Sequence, residues 1–251
     1  MCTLTYIPYK SNGFILTTNR DESGSRPTVS PMYYNHKGEV LLYPRDLEAS
    51  GTWMASNGSN TTICLLNGAF VRHQREMKYR KSRGVMALEY FGYSDTLEFI
   101  RDYYFKGIEP FTLIVVKHDN SVQLQELRWD GTSIHFRVLP ESDPRMWSSA
   151  TLYPQNIWKK RESWFKDWLE TKFESTQNSI LEFHHNGGGG DERNDLIMNR
   201  DGKVMTVSIT SIKWEDAHLE LYYEDLLNDK ISHFSYRKDN FSSNPFQCAQ
   251  E

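Results

Sequence analysis

Apolar and polar positions alternate in short runs along much of the chain, which is the pattern of β-strands. Residues 2–7 and 14–18 are two such runs on either side of the polar turn at residues 10–13, and they predict a β-hairpin. A further run at residues 61–66 stops at Asn67-Gly68. Later strands are predicted at residues 111–116, 122–129, 133–139, 196–198, 204–212, 219–223 and 231–236.

Helical spacing occurs in two blocks between these strands. In the first block, Ser94-Asp95-Thr96 is predicted to cap a helix that carries Leu97, Ile100 and Tyr104 on one face and ends at Gly107. In the second, Pro154 opens a helix with an apolar stripe, and a shorter helix follows near residues 179–183; the stripe contains Ile157, Trp164, Phe165 and Trp168. Since no long Pro/Gly/Ser linker divides the chain, we expect one α+β domain over residues 1–251, with sheets packed on each other and helices outside.

Composition narrows the class of protein. The 251 residues contain 29 Lys+Arg and 33 Asp+Glu, a formal charge of −4, so nucleic acid is not an expected partner. No run approaches the ~18 apolar residues of a membrane span, and three cysteines cannot build a disulfide framework. We therefore expect a cytoplasmic protein that acts on or holds a small molecule; the oligomeric state is left open.

Two polar segments invite a functional interpretation. The basic stretch from Arg72 to Arg83 is interpreted as a solvated loop. His184-His185-Asn186 precedes four glycines but lacks the Lys-Ser/Thr of a phosphate loop, and adjacent histidines on a strand or loop point apart. We expect a mobile loop there, one that could cover a site, with no metal and no cofactor.

Cys2 is the most informative residue for chemistry. Removal of Met1 would leave its thiol beside a free α-amine, a nucleophile and a base on one residue. In short peptides a cysteine thiol has a pKa of ~8.5 and an α-amine a pKa of ~7.7–8.0, so the amine can take the thiol proton near neutral pH. The hairpin would bring Asn19 or Arg20 opposite Cys2, where a guanidinium favours the thiolate and a nearby carboxylate can hold the ammonium.

Three ordered motifs carry a family resemblance. Met1-Cys2, the run Asn19-Arg20-Asp21-Glu22 with Ser25-Arg26-Pro27, and Gly51-Thr52-Trp53 before the strand that ends at Asn67 resemble the NRDE family, also called the transport-and-Golgi-organisation-2 family. These proteins resemble in turn N-terminal nucleophile hydrolases of the choloylglycine hydrolase and penicillin acylase kind. The resemblance implies a four-layer αββα sandwich of two antiparallel sheets between helices.

The resemblance also implies roles for individual residues. Cys2 would be the nucleophile, Arg20 and Asp21 would stand in the places of the hydrolases' arginine and aspartate, and Asn67 would donate to an oxyanion. Asn19, Trp53, Ser149 and Arg193 are further candidates for the binding site. Trp53 is expected to pack rather than react. Ser149 stands where the hydrolases have a second asparagine, and Arg193 is the candidate for a late arginine.

The sequence leaves two functions open. One is an amide or related acyl hydrolase that forms a thioester on Cys2. The other is a carrier on the same scaffold, with a small hydrophobic molecule in a pocket between the sheets, for which the resemblance suggests a lipid-like compound or haem. The hydrolase hypothesis predicts a mature chain that begins at Cys2, a buried Cys64 and a Cys248 in a loose C-terminal tail.

Overall fold

The computed structural model describes residues 3–171, 174 and 176–237. The strands within them are β1 (Thr3–Tyr9), β2 (Gly13–Glu22), β3 (Thr28–His36), β4 (Glu39–Asp46), β5 (Met54–Ser56), β6 (Thr61–Asn67), β7 (Phe111–His118), β8 (Val122–Trp129), β9 (Ile134–Leu139), β10 (Arg145–Ser148), β11 (Asn199–Arg200), β12 (Val204–Glu215), β13 (His218–Asp225) and β14 (Lys230–Arg237). The α-helices are α1 (Arg83–Glu89), α2 (Thr96–Asp102), α3 (Gln155–Thr171) and α4 (Gln177–Asn186), with a short 3₁₀ turn at Tyr90–Gly92.

Two antiparallel sheets contain these strands. The first sheet has the order β10-β1-β2-β12-β13-β14, with β11 beside β12, and the second runs β3-β4-β5-β6-β7-β8-β9. The N-terminal strand is thus an interior strand of the first sheet, between β10 and β2. This order draws on both ends of the chain, because β12 comes from the last quarter of the sequence and pairs with β2.

Three apolar cores separate four layers. The core between the sheets joins side chains of both, such as Leu4 and Leu16 from the first and Cys64 and Ile114 from the second. The outer face of the second sheet packs against α1 and α2 through a further core. The outer face of the first sheet packs against α3 and α4, where Ile7 and Ile15 meet aromatic residues of the helices. The fold is the αββα sandwich that the resemblance implied. Successive side chains of a strand point to opposite faces of its sheet, so each sheet buries apolar side chains on both faces.

The hairpin prediction is confirmed in register as well as in position. Tyr9 lies opposite Gly13, and Thr3 lies opposite Asn19. A side chain at Gly13 would come within 2.6 Å of the Trp214 carbonyl oxygen, so the turn needs a glycine there.

Three local predictions were wrong. In α2 the buried residues are Thr96 and Phe99, while Leu97 and Tyr104 are exposed, and the helix ends at Asp102 rather than Gly107. His184 and His185 belong to α4 and not to a loop. The strand expected at residues 196–198 is replaced by β11, two residues long.

A search of the described residues for a helix long and apolar enough to cross a membrane found none.

Candidate active site

The candidate site lies at the start of β1, which pairs with β10 on one side and with β2 on the other. Thr3 is opposite Asn19 on one side and Ser148 on the other. Side chains alternate along these strands, so Asn19 and Asp21 point toward the helices while Arg20 points toward the second sheet. Cys2 and Cys248 lie outside the described residues.

Arg20 is a buried cation between the two sheets. One guanidinium nitrogen donates to Asp46 Oδ2 at 2.7 Å, and the guanidinium carbon lies 4.6 Å from the centre of the Trp53 ring. The side chain is 3 % exposed, and its Nη1 has no hydrogen-bond partner within the part of the chain that the structure describes. A buried donor without a partner costs free energy, so this nitrogen marks a position where an acceptor would be stabilised.

Asp46 is held in its charged form. Burial would raise the pKa of its carboxyl, but the Ala49 N–H and the charges of Arg26 and Arg20 together keep that pKa below its usual range. Arg26 Nε lies 2.7 Å from Asp46 Oδ2. The carboxylate therefore fixes the orientation of Arg20 and leaves Nη1 as its free end.

Asp21 lies on the opposite face of β2, toward the helices. Its two oxygens accept hydrogen bonds from the hydroxyls of Tyr153, at 2.6 Å, and Thr206, at 2.7 Å. It is 2 % exposed, yet it lines the cleft described below. The carboxylate is therefore oriented by neutral donors from the residues before α3 and from β12.

Asn67 is the last residue of β6. Alternation gives it the face of Leu65, toward α1, but at the strand end it lines the same cleft as Arg20 and Asp21. The structure shows no hydrogen bond from its side-chain amide to any described residue. Its main-chain carbonyl accepts the Ser149 hydroxyl at 2.9 Å and the Ala150 N–H at 3.1 Å.

The Ser149 hydroxyl donates its hydrogen bond to the Asn67 main-chain carbonyl. A hydroxyl has one proton, and that proton is directed to the Asn67 carbonyl. In this geometry Ser149 positions Asn67 and is not an oxyanion donor.

Asn19 is structural in its contacts. Its side-chain nitrogen donates to the carbonyls of His184 and Leu196, and its oxygen accepts from His184 Nδ1. The other ring nitrogen of His184 lies 2.7 Å from the Thr5 hydroxyl. Burial lowers the pKa of His184 to about 3, with smaller contributions from His185 and Arg161, so the ring is neutral at pH 7 and joins α4 to the first sheet.

The last two candidate binding residues, Trp53 and Arg193, differ in burial. Trp53 is 3 % exposed and packs against the Arg20 guanidinium. Arg193 lies on the surface in an ion pair with Asp201 at 2.8 Å.

Burial raises the pKa of the Cys64 thiol to about 12, so this cysteine is inert at neutral pH.

Arg161 is a functional candidate that sequence reasoning missed. It lies on the buried stripe of α3, fully buried, and donates to the Thr3 hydroxyl and to the carbonyls of Asn194 and Asp195. Its guanidinium carbon is 3.8 Å from the centre of the Tyr153 ring. The only sequence signal was a charge in register with the apolar positions of the helix.

The glycine-rich segment binds a carboxylate of its own chain. The N–H groups of Gly189 and Gly190 donate to Asp195 at 2.8 and 3.0 Å. These two N–H groups are therefore engaged by a carboxylate within the fold.

A cleft opens at the ends of these strands. Two adjoining parts of about 500 and 510 Å³ share Glu22, Asn67, Arg75 and Glu109, and Arg20 lines one while Asp21 lines the other. A third part of about 370 Å³ continues over Phe70, Leu152 and Trp158. The basic segment predicted as a solvated loop forms one wall, since Arg83 and His73 both reach Glu109 at 3.1 Å.

A family model, described as Transport and Golgi organisation 2, matches residues 1–206. The chain belongs to the Transport and Golgi organisation 2 family. A comparison with curated protein sequences found no match.

Solved structures share the fold at low sequence identity. A variant of the conjugated bile acid hydrolase from Clostridium perfringens has a TM-score of 0.60 and 10 % identity, over 97 % of this chain and 95 % of that one. Penicillin V acylase from Agrobacterium tumefaciens has a TM-score of 0.56 and 11 % identity, over 96 % of this chain and 87 % of that one. This family member therefore has a scaffold like that of N-terminal nucleophile hydrolases.

Proposed function

We propose that this protein is an N-terminal cysteine hydrolase that cleaves an amide or related acyl bond of a small molecule, with Cys2 as nucleophile after removal of Met1. The observation that carries the proposal is the strand register at Thr3. One step further along the same ladders, the neighbours are Arg20 on β2 and Ser149 after β10. The proposal requires Cys2, one residue before Thr3, to reach the cleft that Arg20 lines, and consecutive Cα atoms are ~3.8 Å apart.

The reaction needs one nucleophile and one base. The α-amine of Cys2 takes the thiol proton, and the thiolate attacks the carbonyl carbon to form a tetrahedral oxyanion. When the carbon–nitrogen bond breaks, the ammonium returns that proton to the leaving amine and a thioester remains. Water then attacks the thioester with the amine again as base, which releases the acid and regenerates the thiol.

The cleft residues have complementary roles in this scheme. The Arg20 Nη1 stabilises the thiolate by its charge. The unengaged Asn67 amide donates to the oxyanion, a contribution of about 2.7–4 kcal/mol for such donors. Asp21 holds the charged form of the α-amine, with Tyr153 and Thr206 setting its orientation.

The cleft walls support an amphiphilic substrate. One arm carries cations, among them Arg75, Arg80 and Arg83. The other arm is lined by Phe70, Val71 and Trp158. An acyl chain in the apolar arm and an anionic group on the cationic wall would place the scissile bond beside Asn67. Conjugated bile acid hydrolase and penicillin V acylase, the neighbours in fold, are named as a hydrolase and an acylase of small molecules.

Turnover of N-decanoylglycine tests the proposal. The wild-type chain should release glycine, and Cys2→Ala should reduce kcat/KM at least about a thousandfold because the covalent step is lost. Cys2→Ser should recover little of it, since a hydroxyl is harder to ionise than a thiol. Asn67→Ala should lower kcat by about 10²–10³. Cys248→Ser is the matched control and should leave turnover unchanged.

Full turnover by Cys2→Ala would contradict the nucleophile assignment. The cavity between the sheets beside Tyr33 and Leu219 does not favour the carrier alternative, because its volume is about 10 Å³. That volume suits about one water molecule. His184 does not fit a haem ligand either, because both of its ring nitrogens are hydrogen-bonded within the fold.

We also propose the cytoplasm as the compartment and residues 1–251 as one domain. The first rests on cysteine usage, with Cys64 buried as a free thiol. The second rests on β12, which joins the C-terminal strands to β2 in one sheet.

A further inference from the structure

Residues 70–82, here named the mouth loop, differ in charge from the rest of the molecule. The loop contains five cations, Arg72, Arg75, Lys78, Arg80 and Lys81, and one acid, Glu76. Its net charge is +4 in a chain of formal charge −4, so the remaining residues sum to −4 − 4 = −8. Positive charge is therefore concentrated at the rim of the cleft.

Most of these cations are not engaged with carboxylates. Lys81 pairs with Glu89, and Arg80 donates to the carbonyls of Tyr104 and Lys106. Arg72, Arg75 and Lys78 are exposed, and among the described residues they have no ion pair. Three cations of the loop are thus available to an external anion.

Exposed apolar side chains lie in the same loop. Met77 is fully exposed and Val71 is 74 % exposed, while Phe70 is partly exposed. Tyr104, 63 % exposed, adjoins the loop through Arg80, whose guanidinium carbon lies 5.3 Å from the ring centre. Scattered exposed apolar residues are ordinary, but several beside unpaired cations form a mixed surface.

The loop is held at its base and open at its tip. The Phe70 ring lies 5.0 Å from the Arg128 guanidinium carbon and 4.9 Å from the His135 ring. At the other end, the Arg80 N–H donates to the Gly107 carbonyl at 2.7 Å. Between these anchors there is no helix or strand.

We infer that the mouth loop is a docking surface for an anionic lipid bilayer. Arg and Lys side chains near an anionic membrane surface each contribute about 1 kcal/mol, and aliphatic side chains such as Val71 and Met77 insert at the boundary between headgroups and acyl chains. A single-stranded nucleic acid would stack its bases on aromatic side chains, but Phe70, one of the two aromatic residues of the loop, is packed against Arg128 and His135. Tyr79 of the loop is half-buried, and its hydroxyl accepts the Glu76 N–H.

The inference does not depend on Cys2, but it gives the cleft a source of amphiphiles. Arg75, Met77 and Arg80 line the cleft as well as the loop. A bilayer against the loop would face the cleft opening, so an acyl compound could pass into the cleft without crossing bulk water.

Vesicle flotation with the full chain tests the inference. One set of vesicles contains phosphatidylcholine alone, and the other contains phosphatidylcholine with phosphatidylserine. We expect binding to the anionic vesicles only, with loss at high salt. Two variants should each reduce the binding constant about tenfold or more, namely Arg72→Gln with Arg75→Gln and Lys78→Gln, and Val71→Ser with Met77→Ser.

Matched controls separate the loop from general charge and hydrophobicity. Lys159→Gln with Lys160→Gln and Lys166→Gln removes the same charge from the exposed face of α3, and Met32→Ser with Leu97→Ser removes exposed apolar groups elsewhere. Both controls should bind like the wild type. Equal binding to neutral vesicles, an equal loss in the controls, or a preference for a single-stranded oligonucleotide over anionic vesicles would overturn the inference.

Discussion

Arg161 is a buried charged residue at a position where the sequence pattern predicts an apolar one. It occupies a position in register with Ile157, Phe165 and Trp168 on α3, where periodicity predicts an apolar side chain. Its hydrogen-bond acceptors come from the first strand and from the segment after α4. Because a buried guanidinium is tolerated only when its donors are satisfied, those acceptors had to be known before the position could be understood.

The neutral state of His184 leads to a prediction for stability. The pKa of its ring is about 3 in the folded chain, below the ordinary histidine value of 6.5, so the unfolded state binds more protons between these values. The free energy of unfolding should therefore fall as pH decreases from 6.5, by about 2 kcal/mol for this residue at pH 5. Urea denaturation at pH 7 and pH 5 measures the difference.

The variant His184→Gln should weaken that dependence because it removes the titrating ring. His233→Gln, at an exposed position of β14, is the control and should keep the wild-type dependence. If His184→Gln showed the same loss between pH 7 and pH 5 as the wild type, the ring would not be the titrating group. His118, whose pKa burial also lowers to about 3, would continue to contribute in both variants.

At the scale of elements, the local sequence predicted the β1–β2 turn correctly but not the buried face of α2. The β1–β2 hairpin was confirmed in register because its turn residues and its alternation agree. In α2 the spacing of Leu97, Ile100 and Tyr104 predicted the wrong face, because the buried apolar residue of the helix is Phe99, which packs against Tyr90. The histidines of α4 resembled a loop because glycines follow them, yet Thr176 caps the helix and His184 is fixed by Asn19.

A close approach of two backbones positions the wall of the cleft. A methyl group at Gly51 would lie 2.3 Å from the Gly84 carbonyl carbon, and Thr52 donates its N–H to the Gly84 carbonyl. Gly51→Ala should therefore push α1 away from the segment before β5 that contains Trp53, and cost about 1–3 kcal/mol of unfolding free energy. Thermal denaturation checks this. Gly92→Ala, where the nearest atom is 3.8 Å away, is the control; equal stability of both variants would contradict the packing account.

At the scale of the molecule, the order of strand and helix blocks predicted an α+β fold, and the family resemblance added the four layers. Both are confirmed by the sheet order and by the structural neighbours. The cleft could not be predicted, because its walls come from strand ends and from the mouth loop, which share no local pattern. The roles of Asn19 and Ser149 depend on contacts more than 80 residues away in sequence and were equally hidden. The assignments of Arg20, Asp21 and Asn67 remain predictions.

The central claim is that Cys2 is the reactive N-terminal nucleophile, and site-resolved mass spectrometry tests it most directly. The protein purified from its own host is treated at pH 7 with an alkyne-tagged β-lactone, which acylates reactive thiols, and the modified peptides are mapped. The account predicts a chain that lacks Met1 and carries one acyl group on Cys2, with Cys64 unmodified because burial raises its pKa to about 12. A retained Met1 in most molecules, or labelling of Cys248 in preference to Cys2, would contradict it.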